Sequence, residues 1–203
     1  MGNRIYRYVV KHDLGYAPCV DNSLLTLCIC KPRIRKAAEI NDWLIGFTSV
    51  AISRSLSVDI NSVIYIAQVT EKVSMEEYFS DKKEPRKDKI YGVENGNLVH
   101  LGGEIHNTED HHRRDKRGMY CLKSNKFKYY GQKPATLPPE LEDLNMSDPM
   151  KRIGERSKTT SDQLMKLARY ATTFMSKNDT KNTTFPDDVH HEGQRYANEQ
   201  TKI

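Results

Sequence analysis

Through the first 130 residues the apolar side chains come in short runs, each closed by glycine, proline or a cluster of charges. That punctuation builds sheets from short strands and leaves little room for long helices. Ile5, Tyr6, Tyr8, Val9 and Val10 are strand formers within six positions, and the stretch from His12 to Asn22 that follows has turn composition, with Asp13, Gly15, Pro18 and Asp21. A second apolar run covers Leu24 to Cys30. Lys31-Pro32 opens a short basic helix to Ala38, because proline suits a first helical turn. Asp42 to Phe47 reads as a strand entered through a turn, and Ser62 to Val73 as one longer strand. Ser74 is placed to cap a helical turn after it. Ser80 to Lys89 is polar, and residues 93–118 carry four glycines and four histidines, the composition of a long functional loop. Tyr120-Cys121-Leu122 and Phe127 to Tyr130 are the last strand-like pieces.

Beyond a linker marked by Pro134, Pro138 and Pro139 the period changes. Leu164, Leu167, Ala168, Ala171 and Met175 form a helical stripe, which Phe174 widens, and Thr160 with Gln163 forms a capping box before it. This helix either docks on its own domain or makes a partner interface, such as a homo-oligomer through residues 161–176. After Asn178 the chain is polar and aperiodic. The division expected is therefore a domain over residues 1–140 and an extension over 141–203.

Of the 203 residues, 37% are hydrophobic and 29% charged, with a mean hydropathy of −0.74 and a net charge of +5. A charge of that size does not by itself make a nucleic-acid-binding protein. No run of 18 apolar residues offers a membrane span, and MGNRIYRYVV has neither the apolar core nor the cleavage site of a signal peptide. Tyr6 stands where a myristoylation signal has serine or threonine. Four cysteines, Cys19, Cys28, Cys30 and Cys121, are too few for a disulfide scaffold, and a reducing cytoplasmic setting is expected.

Cys28-x-Cys30 on a strand would point both thiols to one face, and no Cys-x-x-Cys or His-Glu-x-x-His occurs, so no metal is expected. Lys31 beside Cys30 could activate its thiol, but cysteines in an apolar strand are mostly small buried hydrophobes. Neither a P-loop nor a dinucleotide-binding glycine motif is present, and no cofactor is expected. Phosphate has the better case. Lys31, Arg33, Arg35 and Lys36 place cations at a helix start, where an anionic partner would offset their unfavourable position. A second basic stretch, His111 to Lys128, interleaves with Tyr120, Phe127, Tyr129 and Tyr130, as phosphate contact with base stacking requires.

These blocks join into a pattern. Tyr6-Arg7-Tyr8-Val9-Val10-Lys11-His12-Asp13-x-Gly15-x-Ala17-Pro18, Thr26-Leu27-x-x-Cys30-Lys31-Pro32-x-Ile34-Arg35 and Asp42-Trp43-Leu44-Ile45-Gly46 with Ser49 resemble the second of the nucleotide modification associated domain families. Tyr65-x-Ala67-x-Val69-x-Glu71, Glu77-Tyr78, Lys89-Ile90-Tyr91, His112 and Phe127-x-Tyr129-Tyr130-Gly131 continue the likeness, which runs over roughly residues 4–140. Asn41 replaces the usual glycine before Asp42, and Cys19-Val20-Asp21 replaces an Asn-Pro-Phe type sequence. The resemblance implies the handling of modified nucleotides or bases in bacteria and phages.

The strand order is also similar to that of PUA and EVE domains. The fold expected is α+β: a mixed, mainly antiparallel β-barrel with a few short helices and a C-terminal helical extension. The function expected is binding of a nucleotide or modified base, alone or within nucleic acid. Lys31, Arg33 and Arg35 would meet phosphate, and His12, Asp13 and Ser49 would add polarity. Trp43 or Tyr130 would stack, unless Trp43 is core, and His111 or His112 would face the pocket. The alternatives are a hydrolase or transferase acting on such a ligand, and a phage sponge for a signalling nucleotide.

Overall fold

The computed structural model describes residues 3–21, 23–83, 85–146 and 155–175, with only the backbone of 155–156 and 174–175. The polar tail after Asn178 and the side chains of Phe174 and Met175 lie outside the described residues. Strand β1 (Ile5–Val10) is followed by the hairpin β2 (Cys19–Asp21) and β3 (Leu24–Leu27), helix α1 (Pro32–Ala37), β4 (Trp43–Thr48) and α2 (Val50–Leu56). Next come β5 (Val63–Gln68), β6 (Glu71–Ser74), α3 (Met75–Ser80) and the hairpin β7 (Tyr91–Glu94) and β8 (Asn97–His100). Helix α4 (Glu109–Lys116), β9 (Tyr120–Ser124), β10 (Lys126–Tyr129), a 3-10 turn (Pro139–Leu144), β11 (Glu155–Arg156) and α5 (Ser161–Met175) complete the chain.

The fold is mixed α+β with mostly antiparallel sheets. One sheet has the order β10-β5-β4-β1-β11, with β1 and β4 parallel; the second has the order β2-β3-β9-β6; the β7–β8 hairpin stands apart. The expected barrel does not close among the described residues. β10 and β11 are free edges of the first sheet, and β2 and β6 are free edges of the second. The chain instead turns from one sheet into the other at two corners. At the first, the Val69 N–H still donates to Asp42 O beside β4, while the Thr70 N–H donates to Lys123 O on β9. The strand expected over Ser62 to Val73 is therefore two strands in two sheets. Asn125 makes the second corner, between β9 and β10. Residues 93–118, expected as a loop, hold the end of one hairpin and helix α4, whose first turn is capped by Thr108 accepting from the His111 N–H at 3.3 Å.

Alternation along the central strands separates two cores. Tyr6, Tyr8 and Val10 face the interior between the sheets with Leu25, Leu27, Leu44 and Tyr129. Ile5, Trp43, Ile45 and Phe47 face the other way, against Leu141, Leu144, Leu167 and Ala171 of the 3-10 turn and α5. The capping box at the start of α5 is formed: the Thr160 N–H donates to Gln163 Oε1 at 3.0 Å and the Gln163 N–H to Thr160 Oγ1 at 3.2 Å. No helix of the described residues is long and apolar enough to cross a membrane.

Candidate active site

Strand β3 ends at Leu27, and the chain then reverses sharply into α1. Cys30 (φ 58°) and Lys31 (φ 40°) both sit in the left-handed region, which non-glycine residues occupy at a cost. The turn is gripped at both polar groups of Cys30: its N–H donates to Asp115 Oδ1 at 2.8 Å, and its carbonyl accepts from Arg35 Nε at 2.7 Å. This holds the Cys30 side chain against a cavity of about 590 Å³ lined by Tyr8, His12, Tyr16, Lys31, His106, His111 and Arg114, among others.

Within the cavity Cys30 Sγ lies 3.2 Å from His106 Nε2, and His106 Nδ1 lies 2.5 Å from Asp115 Oδ2. The Tyr91 hydroxyl donates to the same carboxylate oxygen at 3.1 Å. His106 is itself in the left-handed region (φ 52°). Its loop is tied down by His100, which accepts from the Gly102 N–H at Nδ1 (3.1 Å) and so donates through Nε2 to Ile105 O (2.9 Å). His106 stacks on His111 at 5.0 Å between ring centroids.

Burial by itself would lower the His106 pKa, but the bonds to Asp115 and Cys30 outweigh it and raise it to about 10. Burial would raise Asp115, and its bond to His106 overrides that and holds it below the usual carboxylate range. The ring therefore keeps its proton at neutral pH. His111 is lowered, by burial first and then by the charge of His106, and its Nδ1 is buried with no hydrogen-bond partner.

The expected site residues fall into separate groups. His12, Lys31 and His111 line the cavity, and Arg33 and His112 line the groove beside it. Lys31 Nζ donates to Val9 O at 3.1 Å and lies 4.5 Å from the centre of the Tyr8 ring. Asp13 does not line the cavity; it accepts from the Tyr129 hydroxyl at 2.7 Å, and burial raises its pKa to about 6. Arg35 is fully buried, and its guanidinium donates to the carbonyls of Cys30, Tyr120 (2.8 Å) and Asp115 (2.5 Å). It braces the Cys30 turn and does not face an incoming phosphate. Trp43 is core, and Ser49 caps α2, accepting from the Ile52 N–H. The Tyr130 hydroxyl meets that of Tyr170 at 3.3 Å. None of these last three lines the cavity.

Three residues stand at the centre that the sequence did not single out as a set. Cys30, His106 and Asp115 are separated by 76 and 9 positions along the chain, and no fixed spacing joins them. The available signal was a cysteine directly before Lys-Pro at a helix start. The other thiols are enclosed: Cys28 is buried against Cys121, and burial lifts its pKa well above the usual thiol range, while burial raises Cys19 to about 11. All four cysteines are free, and no group of three or more His, Cys, Asp or Glu among the described residues is arranged to hold a metal ion.

A domain of two open sheets with a cysteine, a histidine and a carboxylate in series on the wall of a cavity has the layout of a covalent-catalysis site. The chain belongs to the nucleotide modification associated domain 2 family, whose model matches residues 2–191. That match runs past residue 140 and takes in α5. Comparison with curated proteins and with solved structures finds no match.

Proposed function

We propose that this protein binds a modified nucleotide or base in the Cys30 cavity and acts on it by acyl transfer through a covalent thioester. The observation that carries this reading is the bonded series from Cys30 Sγ through His106 to the buried Asp115 carboxylate. In it a thiol has a base within reach, and the base is oriented by a third group. The family supplies the nucleotide context.

In the first step the Cys30 sulfur, whose proton His106 already holds on Nε2, adds to an acyl carbon of the ligand. His106 returns that proton to the departing amine or alcohol, and the acyl group stays on sulfur. Water, deprotonated by His106, then releases the acid and restores the thiol. Asp115 fixes the tautomer in which Nε2 faces sulfur, and Tyr91 holds the carboxylate. His111 Nδ1, lacking a partner, is available to the ligand.

Treatment with 4-nitrophenyl acetate tests this, followed by peptide mass spectrometry. One acetyl group on Cys30 is expected, absent in His106→Asn. Equal labelling of that variant, or none at Cys30 in the parent, would return the cavity to a binding role.

A further inference from the structure

Beside the Cys30 cavity runs a second, larger depression of about 900 Å³ between α1 and α4, and the two adjoin at Pro32 and Arg114, which line both. Its walls carry Arg33 and Lys36 from α1 and Arg113, Arg114, Lys116 and Arg117 from α4 and its end. Glu109 is the only carboxylate residue in that lining. Arg113 is paired with Asp110 at 2.5 Å; no carboxylate among the described residues pairs with Arg33, Lys36, Arg114, Lys116 or Arg117. So many like charges on two packed helices repel one another unless a polyanion lies between them.

We infer that this groove is a track for the phosphate backbone of a single nucleic-acid strand, and that the base acted on belongs to that strand. The inference rests on the proposed chemistry at Cys30 only for what happens to the base. The track itself stands on charge and geometry. On α4 the cations run from Arg113 to Arg117, about 6 Å along the axis, and with Arg33 and Lys36 on α1 they outnumber what one phosphate group can meet. A mononucleotide would occupy one end and leave the rest unmatched, whereas successive phosphates of a strand would meet both helices. A base paired in a duplex could not reach sulfur on the wall of a cavity, and an unpaired base can turn into it. Met119, 51% exposed at the groove's edge, offers an apolar surface to a neighbouring base.

The test is fluorescence anisotropy with labelled oligothymidylate, oligouridylate and a DNA duplex, with thymidine monophosphate as competitor, across a salt series. The variant is Lys36→Gln/Lys116→Gln/Arg117→Gln; all three residues are exposed and none lines the Cys30 cavity. The parent should bind one or both single strands more tightly than the duplex and more tightly than the mononucleotide. In the triple variant the slope of log affinity against log salt should flatten by about 2, at about 0.7 per lost contact to a single strand. The DNA and RNA arms tell which strand is preferred. An unchanged slope, or mononucleotide binding as tight as strand binding, would overturn the track. The two readings fail separately. Strand binding without selective acetylation of Cys30 removes the chemistry and leaves the track. Selective acetylation without strand binding removes the track.

Discussion

Replacing Asp115 by asparagine tests the centre of the site with the smallest change in shape. The carboxylate accepts from the Cys30 N–H, from His106 Nδ1 and from the Tyr91 hydroxyl, and its Oδ1 lies 4.0 Å from the buried Arg35 guanidinium. An amide has one oxygen for these donors and brings two N–H groups of its own. The arrangement can still be satisfied if His106 becomes neutral with its proton on Nε2, so that Nδ1 accepts from the amide. That tautomer has no lone pair toward Cys30. With the Asp115 charge gone, only the contact with Cys30 still opposes burial, which favours the neutral form of the ring. Loss of the counter-charge to Arg35 should cost about 3–5 kcal/mol of stability, because a buried ion pair broken on one side leaves an uncompensated charge. Acyl transfer should fall by on the order of 10³–10⁴, the scale seen when a triad loses its orienting carboxylate. Alkylation by iodoacetamide at pH 7 should slow by about tenfold or more, since the neutral ring no longer offers a site for the Cys30 proton. Urea denaturation and a time course of Cys30 alkylation give both numbers. Unchanged alkylation in a folded Asp115→Asn protein would refute the reasoning.

A methyl group at Gly118 would lie 2.3 Å from Arg35 Cζ, and the guanidinium is held by three carbonyls, so Gly118→Ala should lose about 1–3 kcal/mol or more in urea denaturation. Wild-type stability would mean that Arg35 is free to move. The Asp13 carboxyl, raised from 3.8 to about 6 by burial, holds its proton more tightly folded than unfolded. Stability should therefore fall as pH rises through that window, by about 3 kcal/mol at pH 7 at most. Asp13→Asn should then be the more stable protein at pH 7 by an amount that vanishes near pH 3.5; a difference constant with pH would count against this. Leu167 is fully buried against the first sheet, so Leu167→Ala should cost about 2–5 kcal/mol, whereas Met165→Ala, 55% exposed, should stay within about 0.5 kcal/mol. Equal, small effects in thermal melts would mean that α5 does not dock on its own domain.

Local signals were legible where one physical cause acts alone. Ser74 and Thr160 cap helices because a short hydroxyl before a helix can meet a free N–H, whatever surrounds it. Asn41, standing for glycine, has φ 74°, a conformation asparagine tolerates. Closure of the sheets was not legible in this way. Whether a strand continues or turns a corner depends on which neighbour takes the hydrogen bonds of Val69 and Thr70, and those neighbours, Asp42 and Lys123, lie far away along the chain. Helix α4 was hidden for a related reason: its residues are almost all polar, so it carries no apolar stripe, and its one buried residue is Asp115.

The basic segment after Cys30 shows why the site itself was only half readable. Four cations in six residues look equivalent in sequence, and all of them look solvated. On the helix they divide. Arg33 and Lys36, three positions apart, face the groove, while Ile34 and Arg35 turn inward. An arginine can enter the interior only if its donors are met, and here three carbonyls meet them, one of them belonging to Cys30. The period-two reading failed at the same turn. It sent Cys28 and Cys30 to one face, but β3 has ended by then, and two left-handed residues send Cys30 to the cavity while Cys28 stays against Cys121. Arg35, one of the cations that sequence offers as phosphate ligands, is therefore the brace of the Cys30 turn, and Gly118 has no side chain because that brace occupies the space.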